Sequence, residues 1–330
     1  MDIKSAKAWL FPIIVFMTAA SYGSIDYSKN PQAAAFAEKM HKKYGFNEMK
    51  LLKLLKKARH QPETLDRYTG KRKIGATDFS WHRYKSKILI KESIDLGVEF
   101  MKKWKKWLDI ASRRYSVSPE IITSFIRVES KFGIYGHEYP VWDSLVTLAF
   151  NKNRKQGFFR GELEKLLILC RKNHLDPLEL KGSFAGAMGC VQQVPSIQLK
   201  YGVDLDGNGR RDPDSMADCI GSIAAFLHRN GWSEKRITIS RAHYNGKRFR
   251  GLKTGYRSLY DIETLKKHGV KGIKKWPHKK AYLIKLRDKD FDELYLGDRN
   301  YRIITLYNAS SRYAVTIALY SKALKNASKR

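Results

Sequence analysis

The sequence predicts a mainly α-helical protein with a small β part. Apolar residues recur with a period near that of an α-helix through most of the 330 residues. Hydrophobic residues make up 43% of the chain, and 18 Tyr, 15 Phe and 7 Trp can build a sizeable core. Strict alternation is confined to a short stretch, "YLIKLR" at 282–287. This composition excludes a disordered chain.

The N-terminus has the three parts of a secretory signal. Lys4 and Lys7 precede an apolar run from Ala8 to Ala20, and small and polar residues follow. The run is too short to span a bilayer easily, no cysteine follows it for lipid attachment, and no other segment predicts a span. We expect a signal peptide over 1–23 and a mature, exported chain over 24–330. An uncleaved anchor would also place the chain outside the cytoplasm.

The chain is strongly basic, with 64 Lys and Arg against 32 Asp and Glu, a formal charge of +32. Such a charge indicates anionic surroundings, whether nucleic acid, a membrane surface or an acidic polymer. The export signal counts against nucleic acid.

Helices are predicted along most of the chain, in order. Two amphipathic helices flank Gly45, a long one covers 91–116, and others cover 119–133, 141–150, 158–173, 214–232 and 311–327. The run "YLIKLRDKDFDELYLGD" predicts a small hairpin, and "NYRIITLYN" predicts one further strand.

The helix at 119–133 carries the candidate catalytic residue. Ser118 is a suitable N-cap and Gly133 a suitable stop. Apolar residues share one broad arc, Ser124 and Arg127 lie opposite, and Glu129 falls inside the apolar arc. Loss of water raises the pKa of a carboxyl group, and a carboxylic acid protonated near neutral pH can act as a general acid. The alternative is a structural, hydrogen-bonded glutamate.

The segment "DLDGNGRRDPDSMAD" predicts a calcium loop over 204–218. Its alternating oxygens and Gly209 match the first half of the D-x-[DN]-x-[DN]-G pattern. Ser215 stands where a glutamate would close the site, so a longer loop would use an aspartate from the next helix. A polar turn without metal is the alternative. The predicted ligands are Asp204, Asp206, Asn208, the carbonyl of Arg210, and Asp218.

Two further segments predict a sugar groove. In "LKGSFAGAMGCVQQVPS" the residues are small, and Ser183 and Gln192 offer uncharged hydrogen bonds; a tight helix contact explains the small residues equally well. In "LYNASSRY", Tyr307 and Tyr313 offer aromatic platforms and Asn308 an amide, although tyrosines are also ordinary core residues.

Three cysteines occur, Cys170, Cys190 and Cys219. Their spacing is not that of a zinc site. One disulfide with one free thiol, and three buried thiols, are both compatible with the sequence.

In this order, the segments resemble the lytic murein transglycosylase B family, glycoside hydrolase family 103. The resemblance covers about 30–325 and rests on "RVESKFG", "DSLVTLAF", "FFRGELEKLLILC", "DPLELKGSFAGAMG", "DLDGNGRRD", "GSIAAFLHRNGW" and "LYNASSRYAV". It implies a lysozyme-like catalytic core over 116–330, an N-terminal helical region over 24–115, and a structural Ca²⁺ in a helix–loop–helix, with no organic cofactor. It also implies a bacterial, periplasmic or wall-associated enzyme.

The family's function is the cleavage of peptidoglycan glycan strands between N-acetylmuramic acid and N-acetylglucosamine, with a 1,6-anhydromuramoyl product. The resemblance makes Glu129 the single catalytic acid and base and matches the calcium ligands named above. We expect a monomer without nucleic-acid partners, and other cell-wall enzymes are open as partners. The implied substrate-binding residues are Ser183, Gln192, Phe226, Tyr307, Asn308 and Tyr313.

The chain departs from the family's pattern at four places, which bears on substrate preference and on activity. The changes would suit a modified glycan. The departing segments are 152–155, 190–193, 225–226 and 308–310.

Two rival functions use the same fold. A muramidase-type hydrolase would need a second carboxylate, for which Asp143 and Glu162 are candidates. A non-catalytic peptidoglycan-binding protein would not need Glu129.

Overall fold

The computed structural model describes residues 25–70, 81–272, 276–288 and 291–329. The predicted signal peptide lies outside this part of the chain. Within it the protein is mainly helical, as predicted, and no helix there is both long enough and apolar enough to cross a bilayer. The helices are α1 (Pro31–Tyr44), α2 (Glu48–Lys56), α3 (Pro62–Thr69), α4 (Trp81–Ile88), α5 (Lys91–Lys103), α6 (Lys105–Tyr115), α7 (Pro119–Ser130), α8 (Val141–Phe150), α9 (Gln156–Asn173), α10 (Pro195–Tyr201), α11 (Met216–Arg229), α12 (Ile262–Lys267), α13 (Arg299–Tyr307) and α14 (Ser311–Ala327).

The strands are β1 (Tyr139–Pro140), β2 (Lys181–Gly182), β3 (Ile239–Tyr244), β4 (Leu259–Asp261), β5 (Val270–Lys271), β6 (Lys280–Arg287) and β7 (Asp292–Gly297). Five of them form a small antiparallel sheet, in the order β4-β6-β7-β3-β5 among the described residues. The predicted hairpin is confirmed by β6 and β7, which pair with Tyr282 opposite Gly297. A separate short pair joins β1 to β2.

Two predicted elements were wrong. The strand predicted in "NYRIITLYN" is helix α13, in which Tyr301 and Ile304 are buried one turn apart. Its β-branched residues suggested a strand, but tertiary packing outweighs that weak preference. The single helix predicted over 91–116 breaks at Trp104, whose φ of −103° and ψ of 18° separate α5 from α6. The break lets α5 pack on α14 while α6 packs on α11.

Two large apolar cores enclose the segment that carries the candidate groove. The first joins α4–α7, α11, α13 and α14 with one face of the sheet. The second joins α1, α2, α8 and α9. Met188 belongs to the second core, whereas Cys190 and Val191 belong to the first. The small-residue segment therefore lies where the two cores meet.

Helix α7 is more enclosed than its periodicity predicts. Ser124 and Arg127, predicted opposite the apolar arc, are also buried, and Arg127 Nε donates to Ser93 Oγ at 2.8 Å. Ser118 takes the N-cap position but makes no side-chain cap; its N–H donates to Glu234 Oε1 at 2.9 Å. The helix ends at Ser130, before the predicted stop.

Candidate active site

Glu129 lies in the last turn of α7 and is partly buried. Tyr313 Oη donates a hydrogen bond to Glu129 Oε1 at 2.5 Å. Burial raises the pKa of Glu129 from 4.5 to about 7, and the hydrogen bond from Tyr313 opposes this rise. A carboxyl group with such a pKa can both give and take a proton near neutral pH.

Tyr307 and Tyr313 meet beside this carboxyl group. Their rings are nearly parallel, 11° apart with centroids 6.4 Å apart, and both pack edge-on against Phe125 of α7. Burial raises the pKa of each phenol well above 10, so both hydroxyls stay neutral donors. Tyr313 is 5% exposed, so its ring is not the open platform that the sequence predicted, and its hydroxyl contacts Glu129.

Phe226 and Asn308 differ in their relation to this cluster. Phe226 is buried in α11 and packs edge-on against Tyr307 and Tyr201, with ring centroids 4.9 and 4.8 Å apart, so its ring helps to hold the Tyr307 ring in place. Asn308 follows α13 directly and is exposed. The Asn308 amide can therefore meet a ligand without rearrangement, whereas the ring of Phe226 is buried.

Ser183 and Gln192 shape loops in the structure. Gln192 has a φ of 48°, and its Nε2 donates to the carbonyls of Gly136 and Gly189, both at 2.9 Å. Gly136 has a φ of 95°, a left-handed backbone conformation that favours glycine, and a Cβ there would also displace the Gln192 amide. Ser183 Oγ accepts from the backbone N–H of Ala185 and of Ala187. Neither side chain has a recorded hydrogen bond to Glu129 among the described residues.

Sequence reasoning missed the backbone that surrounds Glu129. Ser130 Oγ donates to the carbonyl of Cys190 at 2.8 Å, and Tyr307 Oη donates to the carbonyl of Val191 at 2.5 Å. Backbone carbonyls leave no signal in residue identity, so no pattern could have found these contacts. Ser130 directly follows Glu129, which was the only hint available.

The structure also decides the state of the cysteines. Cys190 and Cys219 form a disulfide, with Cα atoms 6.1 Å apart. Cys170 is a free, buried thiol, and burial raises its pKa to about 12. The chain thus has one disulfide and one free thiol, the first of the two predicted alternatives.

The candidate second carboxylates have structural partners. Asp143 Oδ1 accepts the backbone N–H of Arg59 at 3.0 Å. The two oxygens of Glu162 accept from Oγ and N–H of Ser196 at 2.7 and 2.8 Å. Both carboxyl groups are buried, and these contacts tie them to the packing of α8 and α9.

The predicted calcium ligands partly converge. Carboxylate oxygens of Asp204, Asp206 and Asp218 lie within 4.8 Å of one another. Burial, with a further contribution from the other two charges, raises the pKa of Asp218 to about 6. Asn208 Oδ1 accepts the N–H of Arg210 instead. Three gathered carboxylates fit a hard divalent cation, which prefers oxygen ligands.

The sequence and the structure are both similar to those of known transglycosylases. Residues 28–322 match the family described as "Transglycosylase SLT domain". The chain is 33% identical over 299 residues to membrane-bound lytic murein transglycosylase B of Escherichia coli K12, covering 88% of this chain and 82% of that protein. The structure is similar to Escherichia coli lytic transglycosylase Slt35 in complex with calcium, with a TM-score of 0.84, 32% identity, and coverage of 93% and 96%. It is equally similar to soluble lytic transglycosylase SltB1 of Pseudomonas aeruginosa, with a TM-score of 0.84, 30% identity, and coverage of 91% and 100%.

Proposed function

The chain belongs to the transglycosylase SLT family of lytic murein transglycosylases, with their lysozyme-like fold, and we propose that Glu129 carries out its chemistry. The bond cleaved is the β-1,4 bond between N-acetylmuramic acid and N-acetylglucosamine, and the product ends in 1,6-anhydro-N-acetylmuramic acid. The observation that supports this role is the carboxyl group of Glu129, partly buried beside Tyr313 with its pKa raised to about 7.

The reaction uses one carboxyl group twice. Protonated Glu129 gives its proton to the glycosidic oxygen as the bond to the muramoyl C1 breaks. The muramoyl N-acetyl group assists at C1, the part that a second carboxylate plays in ordinary glycosidases. Ionised Glu129 then takes the proton of the C6 hydroxyl while that oxygen bonds to C1. Tyr313 holds the carboxylate in place and stabilises its charged form.

The groove around Glu129 would bind the glycan strand. Asn308 is exposed, and Oε1 of Gln192 would accept a hydrogen bond from a sugar hydroxyl or amide. Ser183, Tyr307 and Phe226 contribute by holding the walls of the groove. The net charge of +32 suits a polymer whose peptides carry carboxylates.

Asp204, Asp206 and Asp218 would hold a structural Ca²⁺, which would neutralise the three carboxylates and fix the start of α11. Two proposed ligands, Asn208 and the Arg210 carbonyl, lie in the same loop. We further propose export to the cell envelope and a division into a helical region over 24–115 and a catalytic core over 116–330.

The test is the analysis of fragments released from peptidoglycan sacculi by the wild-type protein and by Glu129→Gln. Mass analysis should find anhydromuramoyl ends with the wild type and none with the variant. Reducing ends would instead assign a hydrolase and require a second carboxylate. An absence of products from both proteins would favour a binding protein.

A further inference from the structure

One short backbone segment contacts both the end of α7 and the tyrosine pair beside Glu129. The carbonyl of Cys190 accepts the hydroxyl of Ser130, the residue after Glu129. The next carbonyl, of Val191, accepts the hydroxyl of Tyr307, whose ring stacks on that of Tyr313. Tyr313 in turn donates to Glu129. The position of this segment, residues 190–191, is therefore transmitted to the carboxyl group along two routes.

The segment is buried, and backbone hydrogen bonds between Met188 and Gln193 close the loop around it. It lies in a loop where Gly189 and Gln192 both have positive φ, 64° and 48°, so its conformation is not that of a regular element. The N–H of Cys190 donates to the carbonyl of Pro213 at 3.2 Å. A Cβ at Gly189 would stand 1.8 Å from that same oxygen, so the two loops are in direct contact.

The covalent restraint is the disulfide from Cys190 to Cys219. Cys219 lies in the first turns of α11 and follows the candidate calcium ligand Asp218. Both cysteines are buried, at 3% and 1% exposure, inside the core that also contains Phe125. The disulfide thus fastens residues 190–191 to one of the most enclosed helices of the protein.

We propose that the Cys190–Cys219 disulfide is a positioning element of the active site, which fixes residues 190–191 so that Ser130 and Tyr307 hold Glu129 in its productive place. The inference depends on the proposed role of Glu129. It makes full activity a property of the oxidised protein, as suits an exported enzyme. Reduction by dithiothreitol breaks the S–S bond, adds two electrons and two protons to give two thiols, and leaves dithiothreitol as its cyclic disulfide.

The test compares Cys190→Ser and Cys219→Ser with Cys170→Ala, which removes a buried thiol from the other core. Steady-state kinetics on solubilised glycan strands are measured across pH, well below the melting temperature of each variant. A displacement of about 1 Å can cost up to about 100-fold in rate, so kcat should fall at least about tenfold in both serine variants while KM changes little. Cys170→Ala should behave as the wild type.

The pH profile separates positioning from mere stability. Among the residues that the structure describes, Tyr84 on α4, Tyr307 on α13 and Tyr313 on α14 interact electrostatically with Glu129, and Arg312 lies over the Tyr84 ring. Movement of residues 190–191 would admit water and lower the pKa of Glu129. The alkaline limb of kcat should therefore move to lower pH.

The proposal is overturned if folded serine variants keep the wild-type kcat and pH profile. Should those variants fail to fold, Ser130→Ala keeps the disulfide and removes one of the two contacts; it should lower kcat in the same direction, and wild-type kinetics would refute the inference. An inactive wild type alongside inactive Glu129→Gln would instead contradict the proposed function.

Discussion

Replacing Glu129 with glutamine should stabilise the folded protein at neutral and alkaline pH. Burial raises the pKa of this carboxyl group from 4.5 to about 7, so the folded state binds its proton more tightly than the unfolded state does. Stability is therefore lost as the pH rises from the unfolded value of 4.5 through about 7, because folding then requires a buried charge. Glutamine has nearly the same shape and never ionises.

The size of the effect follows from that pKa difference. One pKa unit corresponds to about 1.4 kcal/mol, so the difference between 4.5 and about 7 is worth at most about 3 to 4 kcal/mol. Glu129 keeps some contact with solvent, which reduces the expected gain to about 2 kcal/mol above pH 8. Below pH 4, where both states are protonated, the gain should vanish.

The assay is urea denaturation of the wild type and Glu129→Gln at several values between pH 4 and pH 9. Glu99→Gln, the same exchange at an exposed position of α5, is the matched control and should show no such pH dependence. An equal gain at pH 4 and pH 8, or a loss at pH 8, would refute the argument that Glu129 is held in a desolvating site.

Three other predictions follow from individual contacts. Tyr313→Phe removes the hydrogen bond that lowers the pKa of Glu129, so the alkaline limb of the pH–rate profile should move to higher pH and kcat should fall about tenfold or more; an unshifted limb would contradict this. Removal of calcium by a chelator should lower the melting temperature, because free Ca²⁺ at 100 times its Kd would stabilise the folded state by about 2.7 kcal/mol. Asp206→Asn should weaken that response, and Mg²⁺ should restore stability less well than Ca²⁺. Glu293 accepts from four side-chain donors, so Glu293→Gln should cost about 3 kcal/mol in urea denaturation; a cost below about 1 kcal/mol would show that the network is dispensable.

The sequence predicted those features that a single local pattern encodes. Glu129 was found because helical periodicity places it among apolar residues, and a helix is a local structure. The convergence of Asp204 and Asp206 was found because alternate side chains of a tight loop point to one centre. Asp218 was found because the next helix starts within reach of that loop.

The features that escaped prediction depend on contacts between distant segments. The disulfide joins cysteines 29 residues apart, and composition alone left two states open. The hydrogen bond from Tyr307 to the Val191 carbonyl spans 116 residues. The break at Trp104 is invisible to periodicity because the apolar spacing continues across it. Helix α13 was missed because the β-branched residues in its sequence favour strands when considered in isolation.

Under the proposed mechanism, burial and the long-range hydrogen bond from Tyr313 would let the one carboxyl group of Glu129 serve as both acid and base. Burial favours the acid form, because it raises the pKa of Glu129 and keeps its proton bound near neutral pH. Burial alone would raise the pKa further and make the ionised form, which the proposed second step needs, less favourable. The hydroxyl of Tyr313 limits that cost, because it is a neutral donor that stabilises the carboxylate without adding a charge. A lysine or arginine at that position would lower the pKa too far for an acid. Under the proposed mechanism, Tyr313 therefore matters as much for limiting the rise in the pKa of Glu129 as for any contact with the sugar.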